Sequence, residues 1–512
     1  MIFRLLLFLL LPLFVSLFIK IIYSKPKNNN TSLPKSYPLI GHLFAIYRHK
    51  GNEAIFRWMC SLVHSSPSST FVIHRPFEKP RIITGHPANV EHILKTKFSI
   101  YEKGPIFKTN LKDFLGDGIL NVDGEEWKLQ RRIASHEFNT KSLRKFIETV
   151  VDSELSERLI PILKDAAKTQ RVLDLQDILQ RFTFDNICKI AFGYDPEYLL
   201  PSLPEAKFAD AFDDAVMLST LRFRIILPFI WKIQKFFDIG SEKKLKEAVS
   251  KVHEFSNSVV RRKKQDMSES SISESEDLLS RFLKSGYWED KTVVDIIITF
   301  MLAGRDTTSA ALTWFFWILH KNKVVEDEIV KEIQNIGKTR KQTDDSSNVF
   351  DEVKEMVYTH AAFCESMRLY PPVPMGTKQA ASDDTLPDGT LVKKGMRIMF
   401  VPHAMGRSER IWGPDWEEYR PERWLKEVET DAGGTKWEFV PRDLYSYPVF
   451  QAGPRICIGK DMSFLQMKRV AAGVLAKFKV VPVAEEGFEP VYEPTLTAKM
   501  KGGFPVRIKE RT

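Results

Sequence analysis

Most of the chain repeats apolar residues at intervals of three and four, which is the spacing of a helix with one buried face. This pattern fills most of the region from Trp127 to Leu283 and recurs in the long segment Lys291–Lys321. The long segment is apolar almost throughout, but it contains Asp295, Arg305 and Asp306. Because charged side chains are costly in lipid, we predict a helix buried through the centre of a large protein and not a membrane span.

Patterns typical of β-strands are fewer and shorter. Phe71–Ile73 and Arg81–Thr84 are rich in β-branched residues and predict paired strands, with a helix starting near Pro87. After Arg368 the chain becomes richer in proline, glycine and aromatic residues, and Gly395–Val401 predicts another strand. The expected fold class is therefore mainly α with a minor β portion.

Polar stretches interrupt the helical pattern without dividing the chain. Met267–Glu276 is rich in serine and glutamate, and Lys338–Asn348 is also polar, so both predict exposed connections between helices. The body of the chain has no long linker rich in glycine, serine or proline, and it has no internal repeat. We therefore expect one catalytic domain over residues 42–512.

Residues 1–24 predict a membrane anchor. Leu5–Ile19 is apolar apart from Ser16, and apolar residues resume after Lys20, so the stretch just reaches the length of about 20 residues that a bilayer requires. A cleaved signal peptide is the alternative, but no small-residue cleavage site follows the apolar run. The lysine excess on the C-terminal side predicts a single pass with the catalytic domain in the cytosol. Residues 25–41 form a polar spacer and a proline-rich hinge, which we expect to be stiff and extended.

Composition and charge narrow the function classes. The 512 residues carry a net charge of +9 and no arginine-rich arm. Nucleic acid is therefore a poor expectation, whereas a basic face for anionic lipid or for an acidic electron donor is a better one. The four cysteines have no C-x-x-C spacing, which argues against a disulfide framework and fits a reducing compartment.

The candidate chemistry concentrates in one stretch near the C-terminus, Phe450–Gly459. Cys457 lies between Gly453 and Gly459, and glycine lets a backbone turn tightly and approach a flat cofactor. An apolar helical pattern begins just after it, which places the cysteine near a helix N-terminus that stabilises a thiolate. Arg455 is a cation suited to an anionic cofactor group. We predict that Cys457 ligates a metal; the alternative is a buried structural cysteine in a turn.

The complete spacing, F-x-x-G-x-R-x-C-x-G, resembles the haem-binding signature of the haem-thiolate monooxygenases, the cytochrome P-450 superfamily. The resemblance implies the cytochrome P-450 fold and a haem whose iron takes Cys457 as its axial ligand. Phe450, Gly453 and Gly459 would shape the loop, and Arg455 would contact a haem propionate. A thiolate ligand pushes electron density onto the iron and favours O–O cleavage.

A second motif lies inside the long predicted helix, where Ala303 to Thr308 resembles the family's A-G-x-D-T-T. A threonine hydroxyl can bond the backbone one turn back and bend a helix. Oxygen activation needs protons while bulk water is kept out. Thr307 is therefore the candidate to orient a water or the reacting oxygen, and Asp306 the candidate to supply protons. Gly304 would leave room for dioxygen. The alternative is a kinked core helix with no chemical role.

Glu365 and Arg368 lie one turn apart in a helix predicted over Val353–Leu369. The E-x-x-R pattern is common by chance, and an exposed pair would contribute little. Together with Arg423, however, these residues match a buried network of the family. The resemblance implies that this network holds the cysteine loop, which is a structural role.

Trp127 and Arg131 match the family's W-x-x-x-R helix. An indole N–H and a guanidinium one turn apart can both reach the same anionic group. The resemblance implies that both contact a haem propionate.

The resemblance covers nearly the whole chain after the anchor. It is closest to plant terminal (omega) hydroxylases of fatty acids, a clan that also contains jasmonoyl–amino-acid hydroxylases and sterol side-chain hydroxylases. The segments that carry this likeness are Phe114–Arg132, Gly304–Trp317, Met405–Arg407 and Ile411–Gly413. The segments that match the family's pocket walls are largely apolar: Phe107–Ile119, Ile296–Thr307, Val373–Met375 and Leu496–Thr497.

The resemblance implies a monooxygenase that uses O2 and NADPH, with electrons from a separate flavin-containing NADPH–cytochrome P-450 reductase at the endoplasmic reticulum membrane. It would hydroxylate a terminal or near-terminal carbon of a lipid, foremost a long-chain fatty acid. A jasmonoyl–amino-acid conjugate or a sterol side chain is the alternative substrate, with or without further oxidation to aldehyde and acid.

Two other classes stay open from the sequence. One is a reductase-independent haem lyase or isomerase of lipid hydroperoxides, and the other is a haem-binding or lipid-binding protein without turnover. Such a lyase does not need a proton-delivering threonine, so Asp306 and Thr307 favour the monooxygenase.

Overall fold

The computed structural model describes residues 33–49, 51–205, 207–225, 227–269, 277–343, 349–429, 434–485 and 487–511. The predicted anchor and the first part of the predicted hinge lie outside these residues. Among the helices within these ranges, none combines the length and the apolar character that crossing a bilayer requires.

Helices dominate the described residues. The α-helices are α1 Leu43–Arg48, α2 Asn52–Ser65, α3 Pro87–Glu91, α4 Gly104–Leu115, α5 Gly124–Ser135, α6 Thr140–Lys145, α7 Asp152–Glu154, α8 Ile160–Thr169, α9 Leu175–Phe192, α10 Lys207–Leu221, α11 Phe229–Phe236, α12 Gly240–Glu269, α13 Leu278–Ser285, α14 Asp290–Lys321, α15 Lys323–Thr343, α16 Val349–Glu355, α17 Val357–Leu369, α18 Pro402–Met405, α19 Glu409–Trp412 and α20 Lys460–Leu475. This confirms the predicted mainly α class.

Strands form the minor part. They are β1 Thr70–Ile73, β2 Arg81–Thr84, β3 Tyr101–Glu102, β4 Leu173–Asp174, β5 Gly376–Ala380, β6 Asp384–Thr385, β7 Leu391–Val392, β8 Arg397–Phe400, β9 Leu425–Glu429, β10 Thr435–Phe439, β11 Phe478–Pro482, β12 Tyr492–Pro494, β13 Ala498–Met500 and β14 Pro505–Glu510.

Helix α14 runs through the centre of the molecule. It spans 32 residues, and most of its side chains are buried. The charged residues within it have polar partners. Asp295 accepts a hydrogen bond from the backbone N–H of Asp117 at 3.0 Å, and Arg305 forms an ion pair with Asp213 at 2.7 Å. The prediction of a buried central helix is confirmed by this burial, and both of these charged side chains have a polar partner within the protein.

Neighbouring helices pack on two sides of α14. On the α9 side, a Cβ at Gly304 would lie 2.6 Å from Cγ1 of Ile187, so glycine allows the two helices to approach closely. On the α17 side, the rings of Phe315 and Phe363 stack with centroids 3.8 Å apart. Gly304 therefore has a packing role, and its predicted role in making room for dioxygen stays a prediction.

The largest sheet has five strands in the order β1-β2-β8-β5-β3. β1 and β2 pair in antiparallel fashion, as the sequence predicts. β2 and β8 are parallel, with Arg81 opposite Arg397 and Ile83 opposite Met399. Side chains two residues apart share a face of a sheet, so these four residues lie on one face.

One predicted helix is wrong at its start. The segment Val353–Leu369 is divided, because Met356 has the non-helical dihedrals φ −73° and ψ 80°. The carboxylate of Glu332 accepts hydrogen bonds from the backbone N–H groups of Tyr358 and Thr359 at 2.7 and 2.9 Å. A carboxylate from α15 thus stabilises the N-terminus of a new helix, α17.

Other boundaries shift by a few residues. Helix α12 extends to Glu269 and α15 to Thr343, into the two predicted polar connections; their central parts lie outside the described residues. The polar face of a solvated helix has the same composition as a loop, so sequence pattern does not separate them. β8 is shorter than the predicted strand. In the hinge, Tyr37 and Gly41 exchange two backbone hydrogen bonds of 2.9 and 2.8 Å, so the chain turns there instead of staying extended.

Candidate active site

The loop before α20 holds Cys457 through backbone contacts. The N–H of Cys457 donates to the carbonyl of Phe450 at 2.9 Å. Gly453 has φ +64°, and a Cβ there would lie 2.0 Å from the carbonyl oxygen of Leu94. Only glycine fits that position. Gly459 has no comparable restriction, since its φ is −89° and an added Cβ would meet its nearest neighbour at 3.5 Å.

The Cys457 side chain is exposed only because it faces an internal cavity. Burial raises the pKa of its thiol, although the N–H of Gly459 and the charge of Arg131 oppose this shift. The predicted stabilisation of a thiolate by the N-terminus of α20 stays a prediction, and the N–H of Gly459 and the charge of Arg131 act in the direction that it requires. A bound metal ion would supply the missing positive charge, because a coordinating thiol loses its proton to the metal.

One cavity of about 540 Å³ joins the cysteine loop to α14 and to the five-stranded sheet. All four segments that were predicted as pocket walls contribute side chains to it. These side chains are mainly apolar and include Phe107, Ile119, Leu302, Val373, Met375 and Leu496. Such a lining suits an apolar substrate with few polar groups.

Thr307 lies at the cavity wall, whereas Asp306 is buried in the protein beyond that wall. The Thr307 side chain lines the cavity, and its hydroxyl donates to the carbonyl of Ala303 at 2.6 Å. Asp306 is fully buried, accepts a hydrogen bond from Arg305 at 3.1 Å and lies 3.5 Å from the hydroxyl of Thr497. The hydroxyl is therefore in contact with the cavity, whereas the carboxylate can influence it only through neighbouring residues.

An ion-pair chain leads from Asp306 to the surface. Arg305 contacts Asp306 and also donates to Asp213 at 2.7 Å. The Asp213 side chain is 40% exposed and pairs with Lys499 at 2.7 Å. Burial opposes the charge of Arg305, but the carboxylates of Asp213 and Asp306 outweigh it and raise the pKa of the guanidinium. Arg305 is therefore a fixed cation between the buried carboxylate and solvent.

Trp127, Arg131 and Arg455 meet at the cavity wall near the cysteine loop. The guanidinium carbon of Arg455 lies 4.4 Å from the centroid of the Trp127 ring, and that of Arg131 lies 5.9 Å from it. Arg131 donates to the carbonyl of Ile456 at 2.7 Å, and Arg455 donates to Asp123 at 2.7 Å. The Nε of Arg455 is buried without a hydrogen-bond partner among the described residues.

Two lysines that sequence reasoning missed belong to the same wall. Burial, together with the charge of Arg455, lowers the pKa of Lys103 to about 8, against the attraction of Asp123. Lys378 is 3% exposed, and its Nζ has no hydrogen-bond partner among the described residues. Burial lowers the pKa of Lys378 well below its usual value, and the charges of Lys103 and Arg455 add to this. The sequence feature that could have identified Lys378 is its position inside the short strand β5, where a charged side chain is unexpected.

Glu365, Arg368 and Arg423 form one buried network, as the family resemblance implied. Arg368 donates to both carboxylate oxygens of Glu365 at 2.8 Å, and Arg423 donates to the same carboxylate at 3.1 Å. The indole N–H of Trp424 adds a contact of 3.0 Å. The side chains of Glu365 and Arg368 are 0% exposed. That this network supports the cysteine loop stays a prediction.

These features together define a class of protein. Four cations (Lys103, Arg131, Lys378 and Arg455) face the cavity beside Cys457, with Asp123 as the carboxylate among them. Such an excess of buried positive charge calls for an anionic ligand, and the thiol calls for a metal. A flat metal complex with two carboxylates fits both demands, as in the haem-thiolate proteins.

Comparison with known sequences leads to the same class of protein. The sequence model of the family described as Cytochrome P450 matches residues 32–505. Cytochrome P450 94A2 from Vicia sativa is 57% identical over 486 residues, which cover 94% of this chain and 92% of the relative. Cytochrome P450 94A1 from Vicia sativa is 56% identical over 94% of this chain and 92% of the relative, and Cytochrome P450 94B1 from Arabidopsis thaliana is 44% identical over 95% and 93%. The chain belongs to the cytochrome P450 family.

Membership of this family gives the protein a haem cofactor and a monooxygenase activity, with NADPH electrons supplied by a reductase. The residues present fit the cofactor. Cys457 would ligate the iron, and the four cations would hold the propionates. The haem, when bound, supplies the centre at which O2 is reduced. The chain itself supplies the apolar cavity and the Thr307 hydroxyl that faces it.

Proposed function

We propose that this protein hydroxylates a terminal or near-terminal carbon of a lipid, foremost a long-chain fatty acid. The observation that carries the proposal is the single apolar cavity that contains both the Cys457 side chain and the Thr307 hydroxyl. An extended alkyl chain gains free energy by leaving water for such a lining. The sequence resemblance to plant omega-hydroxylases supports the same substrate class.

The reaction inserts one atom of O2 into a C–H bond. NADPH provides two electrons through the reductase, two protons reach the site, and the second oxygen atom leaves as water. We assign to Thr307 the orientation of a proton donor in the cavity, because it is the least buried of the three α14 threonines that line this space, the others being Thr299 and Thr308. We assign to Asp306 a supply role, since the hydroxyl of Thr497, which lines the cavity, lies 3.5 Å from its carboxylate and Arg305 holds that carboxylate in place.

Product analysis tests the proposal. The holoenzyme with purified reductase and NADPH should be given a fatty acid, a jasmonoyl–amino-acid conjugate and a hydroxysterol in parallel. Mass spectrometry should show a terminally or near-terminally hydroxylated fatty acid, and longer incubation shows whether oxidation continues to aldehyde or acid. Hydroxylation of the sterol alone, or attack only in the middle of the chain, would contradict the proposal.

A reductase-independent lyase or isomerase of lipid hydroperoxides is the other enzyme class to test. Such an enzyme would convert a fatty-acid hydroperoxide without NADPH, whereas a monooxygenase consumes NADPH in proportion to substrate. The position of Thr307 in the cavity favours the monooxygenase. Rapid hydroperoxide turnover without reductase, and none of the fatty acid with it, would favour the lyase.

We further propose that residues 1–24 anchor the protein in the endoplasmic reticulum membrane with the catalytic domain in the cytosol. The lysine excess after the apolar run supports this orientation. Protease added to intact microsomes should digest the catalytic domain, and detergent should make no difference. Protection of the domain, or glycosylation at Asn30 within Asn30-Thr31-Ser32, would reverse the orientation.

A further inference from the structure

A second group of cations lines the same cavity at the edge of the five-stranded sheet. Arg75, Arg81 and Arg397 surround the carboxylate of Glu78 at 3.7, 2.6 and 3.2 Å. Arg81 and Arg397 are register partners at the start of the parallel strands β2 and β8. All three arginines are cavity-lining residues. One carboxylate thus faces three guanidinium groups, and positive charge is in excess.

Arg224 adds a fourth guanidinium to this group. It lies in the chain between α10 and α11 and lines the same cavity. Its Nε is buried without a hydrogen-bond partner, and it has no ion pair with any residue that the structure describes. Burial alone lowers its pKa, with no carboxylate to oppose the shift. Arg75 is 8% exposed and reaches the carbonyl of Ile225, the residue after Arg224, only at 3.5 Å. Its Nε also has no hydrogen-bond partner among the described residues.

The surrounding surface changes from charged to apolar along the strands. Ile83 and Met399 follow Arg81 and Arg397 by two residues on the same face, at a distance of about 6.6 Å along the strands. Both of these apolar side chains line the cavity, as do Phe56 and Met59 of helix α2 and Ile73 of β1, the register partner of Arg81. The arginines therefore form a charged patch at the border of an apolar surface.

This patch is separate from the cations beside the cysteine. Lys378 is the register partner of Ile398, so it lies on the sheet face opposite to that of Arg397. The charges that shift the pKa of Arg75 are those of Arg81 and Glu78, whereas those that shift the pKa of Lys378 include Lys103 and Arg455. The cavity thus has two cationic regions, and the cofactor accounts for only one of them.

We propose that Arg75, Arg224 and Arg397 bind the carboxylate of the substrate, so that the rest of its chain extends along the apolar face toward Cys457 and Thr307. This proposal rests on the proposed function and specifies its substrate class as acyl chains with a free carboxylate. Guanidinium groups bind carboxylates with two parallel hydrogen bonds, which fixes orientation as well as position. A carboxylate held at one end selects the carbons at the other end for attack.

Two other roles for these arginines fit less well. If they served only to hold the β1–β2 turn, Glu78 would be sufficient for Arg75 and Arg397. Arg224, which has no ion-pair partner in the part of the chain that the structure describes, would then have no function. If they bound phosphate groups of a bilayer, their side chains would have to reach it, but those of Arg75, Arg81 and Arg397 are only 5%, 14% and 11% exposed. A ligand inside the cavity can contact these arginines although they are shielded from the outer surface.

The test compares a fatty acid with its methyl ester, which has the same chain and no charge. Binding to the holoenzyme is measured by the spectral shift of the haem, and turnover is measured separately as kcat and KM. The wild-type protein should bind the acid at least about tenfold more tightly than the ester, as expected for a charge-assisted hydrogen bond. Arg224→Met and Arg75→Met should bring this ratio close to one and should raise KM for the acid more than they lower kcat.

Two controls separate charge from packing. Arg224→Lys keeps the charge and should keep part of the preference for the acid. Arg132→Met removes an exposed arginine of α5 that does not line the cavity and should leave the ratio unchanged. Product positions give a further readout, because loss of the anchor in Arg224→Met should spread hydroxylation from the terminal carbon to carbons nearer the carboxylate.

Equal affinity of the wild-type protein for acid and ester would overturn the proposal, as would equal weakening of both ligands in Arg224→Met. Tighter binding of the hydroxysterol than of the acid would overturn it too. A different result would contradict the proposed function while leaving the carboxylate site in place. In that case the acid would still be preferred in binding, but no terminally hydroxylated product would form with the reductase.

Discussion

Two sets of buried charged side chains in this molecule differ in whether they have hydrogen-bond partners within the protein. In the network of Glu365, Arg368 and Arg423, the carboxylate accepts from both guanidinium groups, and Arg368 also donates to the backbone carbonyls of Trp416 and Glu418 at 2.8 and 2.9 Å. At the cavity wall, Lys378 has no hydrogen-bond partner among the described residues, and the Nε of Arg455 has none either. The network is complete without a ligand, whereas the wall is not.

The difference separates residues that hold the fold from residues that await a ligand. Moving a charge out of water is costly unless a partner compensates for it. In a network whose hydrogen bonds are all formed, contacts within the protein offset the free energy of desolvation. A buried cation without a partner lacks such contacts, and the free energy is recovered when an anion binds. On this criterion we expect both cationic regions of the cavity to bind anionic ligands.

The largest effect is expected at the metal ligand. Cys457→Ala should abolish the Soret band that is characteristic of thiolate-ligated ferrous haem with carbon monoxide. The other described cysteines, Cys60, Cys188 and Cys364, are buried and line no part of the cavity. The measurement is a reduced carbon monoxide difference spectrum of purified protein, with total haem determined separately. A band of normal height in this variant would show that another residue ligates the iron.

The next effect tests the comparison between the two sets of charges. Arg368→Met leaves Glu365 buried with one of its two guanidinium partners removed, which should lower the free energy of unfolding by about 3 to 5 kcal/mol. Lys378→Met removes a cation without a partner, so it should leave this free energy unchanged or higher while the haem is lost faster. Denaturant unfolding gives the first quantity, and the rate of haem transfer to apomyoglobin gives the second.

An exposed ion pair provides the control. Lys426 and Glu438 lie 3.1 Å apart across β9 and β10, and both side chains are 54% exposed. Lys426→Met should therefore change the free energy of unfolding by less than about 1 kcal/mol. If Lys378→Met destabilised the protein as much as Arg368→Met, the distinction between complete and incomplete networks would not hold.

The sequence predicted those parts that depend on local spacing. The central helix follows from an apolar pattern too long for a loop and too charged for lipid, and the cysteine loop follows from a motif with fixed intervals. The contacts of Thr307 with Ala303 and of Glu365 with Arg368 are both within one helical turn, so periodicity was sufficient to find them.

The sequence could not predict contacts that join distant segments. Arg81 and Arg397 are separated by 316 positions (397 − 81) and meet only because β2 and β8 pair in parallel. The division of the helix at Met356 depends on Glu332, which belongs to another helix. Lys378 carries no motif, and only the burial of its strand distinguishes it from a surface lysine. Spacing along the chain contains no information about these tertiary contacts.

The smallest expected effect concerns proton delivery, where the comparison continues within α14. Thr307 faces the cavity and Asp306 faces its ion-pair partner Arg305. Substitutions at the two positions should therefore have different effects on turnover. Thr307→Ala removes a hydroxyl and no large apolar group, so folding, haem content and substrate binding should be kept. Product should nevertheless fall several-fold relative to NADPH consumed, with the difference appearing as hydrogen peroxide, because protons are poorly directed.

Asp306→Asn should instead slow turnover with a smaller change in this ratio. It keeps an oxygen that can accept from Arg305 but removes the acid group that would exchange a proton with the Thr497 hydroxyl, which lies 3.5 Å away at the cavity wall. The measurement is a paired assay of product, peroxide and NADPH on both variants, at equal haem content. If the two residues only shaped the helix, both variants would lose stability or haem, and the remaining enzyme would keep wild-type coupling. Thr307 would then be a structural residue, and the hydroxyl bond to Ala303 would be its whole function.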